Sequence, residues 1–254
     1  MQNHFILSPY FIDQSEPFLH TYKKDGWELN TVTLPDTDPQ SRASAVHKPL
    51  ANKVEASLKA GKRPVSIAGD CCATIPVMAG LQRAGITPTF LWLDSHGDFN
   101  TWETTPSGFL GGMPLAMIAG LGELRMNGAV GLEPIPTQNI ILADGRDLDP
   151  GEQILVEESG ITHIKDFSSL KDYPFEGPVY LHFDCDVVHL DDVSAVKYPA
   201  KGGPRAEEVA DVFKHLKNKL NLVAISATIG SWATDKGDVQ KSDKVTRELL
   251  EVLY

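Results

Sequence analysis

The stretch Thr89-Phe-Leu-Trp-Leu-Asp-Ser-His-Gly-Asp-Phe-Asn100 decides how the rest of the chain is read. Five residues, Thr89 to Leu93, form a short run too brief for a helix and apolar on both faces, which is the pattern of a strand covered by helices on either side. Three potential metal ligands follow at once: Asp94, His96 and Asp98. In an open α/β sheet, ligands gather beyond the carboxyl ends of the strands, so this junction marks the place to look.

The same pattern recurs along the chain. Pro64–Ala68, Asn139–Ala143, Ile161–Ile164, Val179–Phe183 and Asn221–Ala227 also read as strands. Helical spacing of apolar residues predicts helices over Val54–Ala60, Ile75–Ala84, Glu152–Glu158, Arg205–Leu220 and Val245–Leu253. Before the third of these, Asp149 and Pro150 suit an N-cap and a first helical turn. Alternating strands and helices predict a three-layer α/β/α sandwich with a mostly parallel central sheet and right-handed crossovers. No repeat or linker divides the chain, so residues 1–254 are expected to form a single domain.

Composition removes several classes of function. The chain has 254 residues, 42% hydrophobic, with 23 Lys plus Arg against 34 Asp plus Glu, a net charge of −11. Without a basic cluster it lacks the electrostatic footprint of a nucleic-acid or anionic-membrane partner. No apolar stretch approaches the roughly 18 residues of a membrane span, and no basic-then-apolar leader is visible at Met1–Tyr10. Three cysteines, Cys71, Cys72 and Cys185, give no disulfide framework. A reducing, cytoplasmic address is expected.

Polar segments ending the other runs complete the picture: Gly69-Asp70-Cys71-Cys72, Arg146-Asp147-Leu148-Asp149 and His182-Phe183-Asp184-Cys185-Asp186. Carboxylates clustered at buried strand ends are costly unless positive charge sits between them. Asp94, His96 and Asp98 are spaced by two, which in an extended segment aims all three to one side, and Asp184 and Asp186 repeat the spacing. Four carboxylates and one imidazole exceed the needs of one structural zinc and suit two bridged divalent ions; oxygen-rich ligation favours Mn²⁺. Taken singly, either Asp pair could be a helix cap or a surface turn.

Here the residues resemble a known family. Asp94-Ser-His-Gly-Asp-Phe-Asn-Thr101 is similar to the DAHxDxNT motif of the ureohydrolases, the arginase and agmatinase family, and Asp184-Cys-Asp186 to its second metal motif. Gly69-Asp70-Cys71 stands in the place of GGDH, Ser107-Gly-Phe-Leu-Gly-Gly-Met-Pro114 resembles SGNxHGMP, and Arg146-Asp-Leu-Asp-Pro-Gly-Glu152 resembles RDVDPGE. The resemblance implies a dinuclear manganese centre. One ion would be held by Cys71, Asp94, Asp98 and Asp184, the other by Asp94, His96, Asp184 and Asp186. Asp98 and His96 are thereby also candidate catalytic residues. Water activated between the ions would attack a guanidinium-type carbon. Asn100 and Ser107 would bind an α-carboxylate and Asp149 an α-amino group, so a small guanidino or amidino amino acid is the implied partner. A homo-oligomer, trimer or hexamer, is also implied.

The departures are as informative. Cys71 replaces a histidine ligand: it is either a soft thiolate ligand, disfavouring Mn²⁺ relative to Zn²⁺ or Fe²⁺, or a small buried hydrophobe beside a weakened site. Cys72 and Cys185 read as buried hydrophobes. Gly111 stands where the family has a proton-carrying His, and Phe109 where it has Asn. Ile225-Ser-Ala-Thr-Ile229 lacks the Glu that would clamp a guanidinium. His189 stands where the family often has Asp, as a partner to a metal ligand or a substitute proton relay. His4, His20, His47, His163 and His215 fit no ligand pattern and read as surface or structural residues.

Cysteine for histidine and Leu-Gly-Gly-Met also resemble the Nω-hydroxyarginine amidinohydrolase branch, whose substrate carries a hydroxylated, less basic guanidino group. The expected function is hydrolysis of C–N bonds in such compounds. The second reading is a catalytically weak or inactive relative that keeps the fold for metal binding or interaction. A one-zinc deacetylase on a related fold would need a His pair that the sequence does not offer.

Overall fold

The computed structural model describes residues 1–230 and 232–254. Strands β1 (Gln2–Leu7), β2 (Tyr10–Phe11), β3 (Gln14–Ser15) and β4 (Glu28–Leu29) precede the long helix α1 (Pro39–Lys59). Then come β5 (Lys62–Ala68), α2 (Thr74–Arg83), β6 (Thr89–His96), α3 (Pro114–Ile118), α4 (Arg125–Val130), β7 (Ile140–Asp147), α5 (Pro150–Ser159) and β8 (Thr162–Ile164). The chain continues through β9 (Pro178–Asp184), α6 (Ala206–Lys219), β10 (Asn221–Thr228) and α7 (Val239–Leu253).

Eight strands form one sheet in the order β4-β1-β5-β10-β9-β6-β7-β8, and every pairing in it is parallel. Side-chain alternation divides its two faces. Phe90, Trp92, Tyr180 and Leu142 pack with Leu50 and Val54 of α1 and Ile75 and Met78 of α2. Leu91, Leu93, Leu181 and Phe183 pack with Val209 and Phe213 of α6 and Leu249 and Leu253 of α7. Both faces being covered explains why the strands read as unbroken apolar runs.

All six expected strands are present, and the expected α/β/α layering is what forms. Helix α1 differs most: Val54–Ala60 covers only its last turns, since it starts at Pro39 with Asp38 accepting from Ser41 N as N-cap. Pro49 lies inside it, yet Val46, Leu50 and Val54 keep one buried stripe. Strands β1 and β4 were not legible as apolar runs; β1 opens on polar, half-exposed Gln2-Asn3-His4, and β4 has two residues.

The strand order positions the site. β5, β10, β9 and β6 are consecutive neighbours at the centre, so their carboxyl ends bring Cys71, Thr228, Asp184 and Asp94 to one sheet edge.

Candidate metal centre

Two of the expected spacings are realised differently from an extended strand. β6 carries Asp94 and His96, with a register shift between them, but Asp98 lies beyond the strand at φ 45°, a left-handed conformation rare for a non-glycine residue. Gly97 permits the bend, since a Cβ there would meet Glu152 Oε1 and Leu148 Cδ2 at 2.6 Å. Glu152 anchors the turn by accepting from Phe99 N at 2.8 Å and from Asp149 N at 3.1 Å. Asp184 ends β9, and Asp186 follows in a 3₁₀ turn, Cys185–Val187, rather than on an extended chain. Asp184 Oδ1 accepts from Asp186 N at 2.9 Å, fixing both carboxylates.

The side chains then converge. His96 Nδ1 lies 3.1 Å from Asp186 Oδ2 and 3.4 Å from Asp94 Oδ1. Ser95 Oγ donates to Asp186 Oδ1 at 2.7 Å. Cys71 Sγ is 3.1 Å from Asp184 Oδ2 and 3.8 Å from Asp94 Oδ2, and Thr228 Oγ1 donates to Asp184 Oδ2 at 2.7 Å. Cys71, Asp94, His96, Asp184 and Asp186, with Asp98 and Asp70, line a cavity of about 70 Å³. A second cavity of about 340 Å³ is lined by Asn100, Ser107, Asp147 and Asp149, and the two share His96, Asp98, Phe109 and Tyr198. Asn100 Nδ2 donates to Asp149 Oδ2 at 3.0 Å, while Ser107, which is exposed, accepts from Phe109 N at 3.2 Å.

The electrostatics are those of buried carboxylates packed against one another. Burial, then the charges of Asp186 and Asp184, holds the Asp94 carboxyl well above its usual range; burial and Asp94 do the same to Asp98. Burial, reinforced by Asp186, pushes Asp184 up to about 7. Burial alone would lower His96, but Asp186 and Asp94 outweigh it and raise it. That ion pair in turn overcomes the burial of Asp186 and keeps it low. Burial and the neighbouring Asp184, Asp98 and Asp94 push the Cys71 thiol far up. A divalent ion would reverse the raised carboxyl and thiol values by favouring the anions, and the raised His96 value by favouring the neutral imidazole. Donor types and spacing fit such an ion in two overlapping groups, Asp94–His96–Asp186 and Cys71–Asp94–His182, each with its donor atoms within 4.8 Å of one another.

His182 and Thr228 are residues that the sequence named within longer segments without indicating a role for either. His182 sits inside an apolar strand run, and Thr228 falls in the segment scanned for a missing carboxylate; neither gives a periodic signal. His189 stands apart from both cavities: its Nδ1 accepts from Asp191 N at 3.1 Å in an exposed turn, so the structure gives it no place beside the carboxylates. Cys72 and Cys185 are buried, each directed at a backbone carbonyl. Phe109 explains the two departures in its loop together. A Cβ on Gly111 would stand 2.4 Å from Phe109 Cε1, so the phenyl ring occupies the space a side chain at 111 would need.

Fold and site together define a class: a three-layer α/β protein with a carboxylate-rich cluster of groups that could hold a metal ion at the carboxyl ends of its central strands. The arginase family model matches residues 12–228, and the chain belongs to the arginase family. Arginase of Bacillus subtilis (strain 168) is 34% identical over 173 residues, covering 63% of this chain and 58% of that protein. Arginase of Brevibacillus brevis is 36% identical over 113 residues, which is 38% of its length. The chain thus matches less than two thirds of the length of either of these relatives. N(omega)-hydroxy-L-arginine amidinohydrolase of Streptomyces lavendulae is 28% identical over 218 residues, 84% of this chain and 73% of that one. Among solved structures, arginase from Bacillus cereus superposes with a TM-score of 0.83 at 20% identity, covering 100% of this chain and 98% of the other. Formimidoylglutamase from Bacillus subtilis gives 0.73 at 12% identity, covering 100% and 86%. These likenesses show the fold.

Proposed function

We propose that this chain is a metal-dependent hydrolase of C–N bonds in a guanidino or amidino compound, with Nω-hydroxy-L-arginine or an arginine-like amino acid as substrate. The observation that carries it is the junction of the two cavities: a well of Cys71, Asp94, His96, Asp98, Asp184 and Asp186 opens beside a larger polar pocket of Asn100, Ser107 and Asp149. Divalent ions held by the well residues, two Mn²⁺ in the family pattern, would supply Lewis-acid activation of water. Asp149 presents a carboxylate oriented by Asn100 to an α-ammonium group, and Ser107 with Asn100 would take the α-carboxylate. Phe109 and Tyr198, 5.0 Å apart between centroids, line both pockets. His96 and Asp98 face both cavities and would position the reacting carbon and the water. Gly111 carries no proton donor, which favours a substrate whose guanidino group is itself less basic, as Nω-hydroxylation makes it. We read residues 1–254 as one domain, supported by a single sheet drawing strands from Gln2 to Thr228. No helix among the described residues is long and apolar enough to cross a membrane. The reading includes a cytoplasmic address and a homo-oligomer, trimer or hexamer, as in the family pattern.

The test is release, by metal-loaded protein, of urea from L-arginine, agmatine and guanidinobutyrate and of hydroxyurea with L-ornithine from Nω-hydroxy-L-arginine. The hydroxylated amino acid is expected to turn over fastest, mainly through kcat. Equal rates on arginine and hydroxyarginine would sink the preference for the less basic guanidino group. No product from any guanidino compound at full metal loading would instead support a non-catalytic metal-binding or interaction protein.

A further inference from the structure

Behind the carboxylates, on the α1/α2 face of the sheet, a run of buried polar groups leads away from Asp94. Tyr180 Oη is 2.7 Å from Ser226 Oγ, which lies 2.9 Å from His182 Nδ1. The His182 ring is tilted against Trp92 with centroids 4.2 Å apart, and Trp92 Nε1 donates to Asp94 Oδ2 at 3.1 Å. His182 is 0% exposed, and its Nε2 has no hydrogen-bond partner among the described residues. Leaving a buried polar group unpaired costs about 1–3 kcal/mol, so the nitrogen calls for a partner. A ring nitrogen of His182, Cys71 Sγ and an Asp94 oxygen all lie within 4.8 Å of one another.

We propose that Cys71, Asp94 and His182 form an inner divalent-metal site of sulfur, oxygen and nitrogen donors, selective for Zn²⁺ over Mn²⁺. It shares Asp94 with an outer site of Asp94, His96 and Asp186. The inference rests on the metal-hydrolase reading and adds which ion each position takes. Tetrahedral zinc with these ligands sets its donors roughly 3.3–3.8 Å apart. Cys71 Sγ and Asp94 Oδ2 are already 3.8 Å apart, and the Asp184 oxygen 3.1 Å from the sulfur borders the same space. A ligating imidazole normally has its other nitrogen held by a hydrogen bond, and Ser226 Oγ holds Nδ1 here, leaving Nε2 free. Thiolate and imidazole suit zinc, whereas the carboxylates and imidazole of the outer group suit manganese. On binding, the Cys71 thiol releases its proton to solvent.

The experiment strips the purified protein with a chelator and reloads it with Zn²⁺, Mn²⁺ or Co²⁺, singly and in pairs. Metal content is measured by mass spectrometry and Co²⁺ is read by absorption. One tightly held Zn²⁺ or Co²⁺ and one exchangeable Mn²⁺ are expected per chain, with a thiolate-to-cobalt charge-transfer band and intense tetrahedral d–d bands. Cys71→Ser should abolish the charge-transfer band. His182→Asn should weaken the tight ion by more than the roughly 10–100-fold that loss of a merely supporting neighbour costs. His96→Asn should remove only the exchangeable ion. If His182→Asn does not fold, pulsed EPR of the wild-type protein with one Co²⁺ must still show an imidazole nitrogen coupling. No charge-transfer band in the wild type, equal affinity for Zn²⁺ and Mn²⁺, or an unchanged tight ion in His182→Asn overturns the inner site. Release of urea or hydroxyurea without a thiolate band removes the inner site alone; the band without either product from any substrate removes the hydrolase reading and leaves the site standing.

Discussion

Restoring the motif residue by Gly111→His is expected to damage the fold before it can help the chemistry. A Cβ at position 111 would lie 2.4 Å from Phe109 Cε1 and 2.5 Å from Cζ. The ring is not a free end: it stacks toward Phe11 at 6.3 Å and meets Tyr198 at 5.0 Å. Forcing it aside is an overpacking change, worth about 1–3 kcal/mol. At about 2–4 °C per kcal/mol for a chain of this size, the Tm should fall by roughly 2–12 °C. Phe109→Ala removes the obstacle, so in that background the histidine should cost almost nothing, giving a coupling energy of about 1–3 kcal/mol. Thermal and urea unfolding of the four proteins measure it. Urea release measures the consequence: only the double variant should gain arginine turnover, by up to about 10²–10⁴-fold in kcat if the imidazole reaches the reacting atoms. A histidine that costs the same with and without Phe109, or leaves the Tm unchanged alone, would refute the idea that the phenyl ring holds position 111 open.

Removing a shared ligand should be more severe than removing a private one: Asp94→Ala is expected to lose both ions and His96→Asn one, and full metal content in Asp94→Ala would refute the shared carboxylate. Adding the cognate ion at about 100 times its Kd should stabilise the wild type by about 2.7 kcal/mol, and a chelator should reverse it in a thermal scan. Arg146 pairs with Asp144 and donates to the carbonyls of Val187, Asp186, Ala200 and Lys201, tying β7 to the turn after Asp184. Arg146→Met leaves these acceptors and a buried carboxylate uncompensated and should cost about 3–5 kcal/mol in denaturant unfolding; a loss below about 1 kcal/mol would contradict that role. Burial pushes His47 down from 6.5 to about 3, so between those values the unfolded chain binds the extra proton and stability falls as pH falls. The slope is about 1.4 kcal/mol per pH unit, and His47→Met should remove it in stability measured from pH 6.5 to 4.

The apolar runs ending in carboxylates made the core of the fold legible, because a strand buried on both faces must be apolar throughout and its polar neighbours must then lie at its ends. Hence β5 to β10 were readable, and with them Cys71, Asp94, His96, Asp98, Asp184 and Asp186. Edge strand β1, half-polar, and α1, interrupted by Pro49 and by polar residues on its exposed side, carry too little pattern to be read locally. The backbone paths of Asp98 and Asp186 were hidden for another reason: spacing by two implies one face only while the chain stays extended, and Gly97 and the turn at Cys185 end that condition.

The sequence by itself determined which residues could bind metal and that they sit where strands stop, since that much follows from composition and periodicity along the chain. Tertiary structure alone decided which of them meet. Cys71 reaches Asp184 and Thr228 only because β5, β10 and β9 are sheet neighbours, although 113 and 157 residues separate the partners in sequence. His182 lies behind Asp94 because β9 pairs with β6, and Phe109 lies over Gly111 because their loop folds back on itself. Such contacts depend on strand order and loop path, which are set by packing across the whole sheet and leave no trace in the local pattern of any one segment.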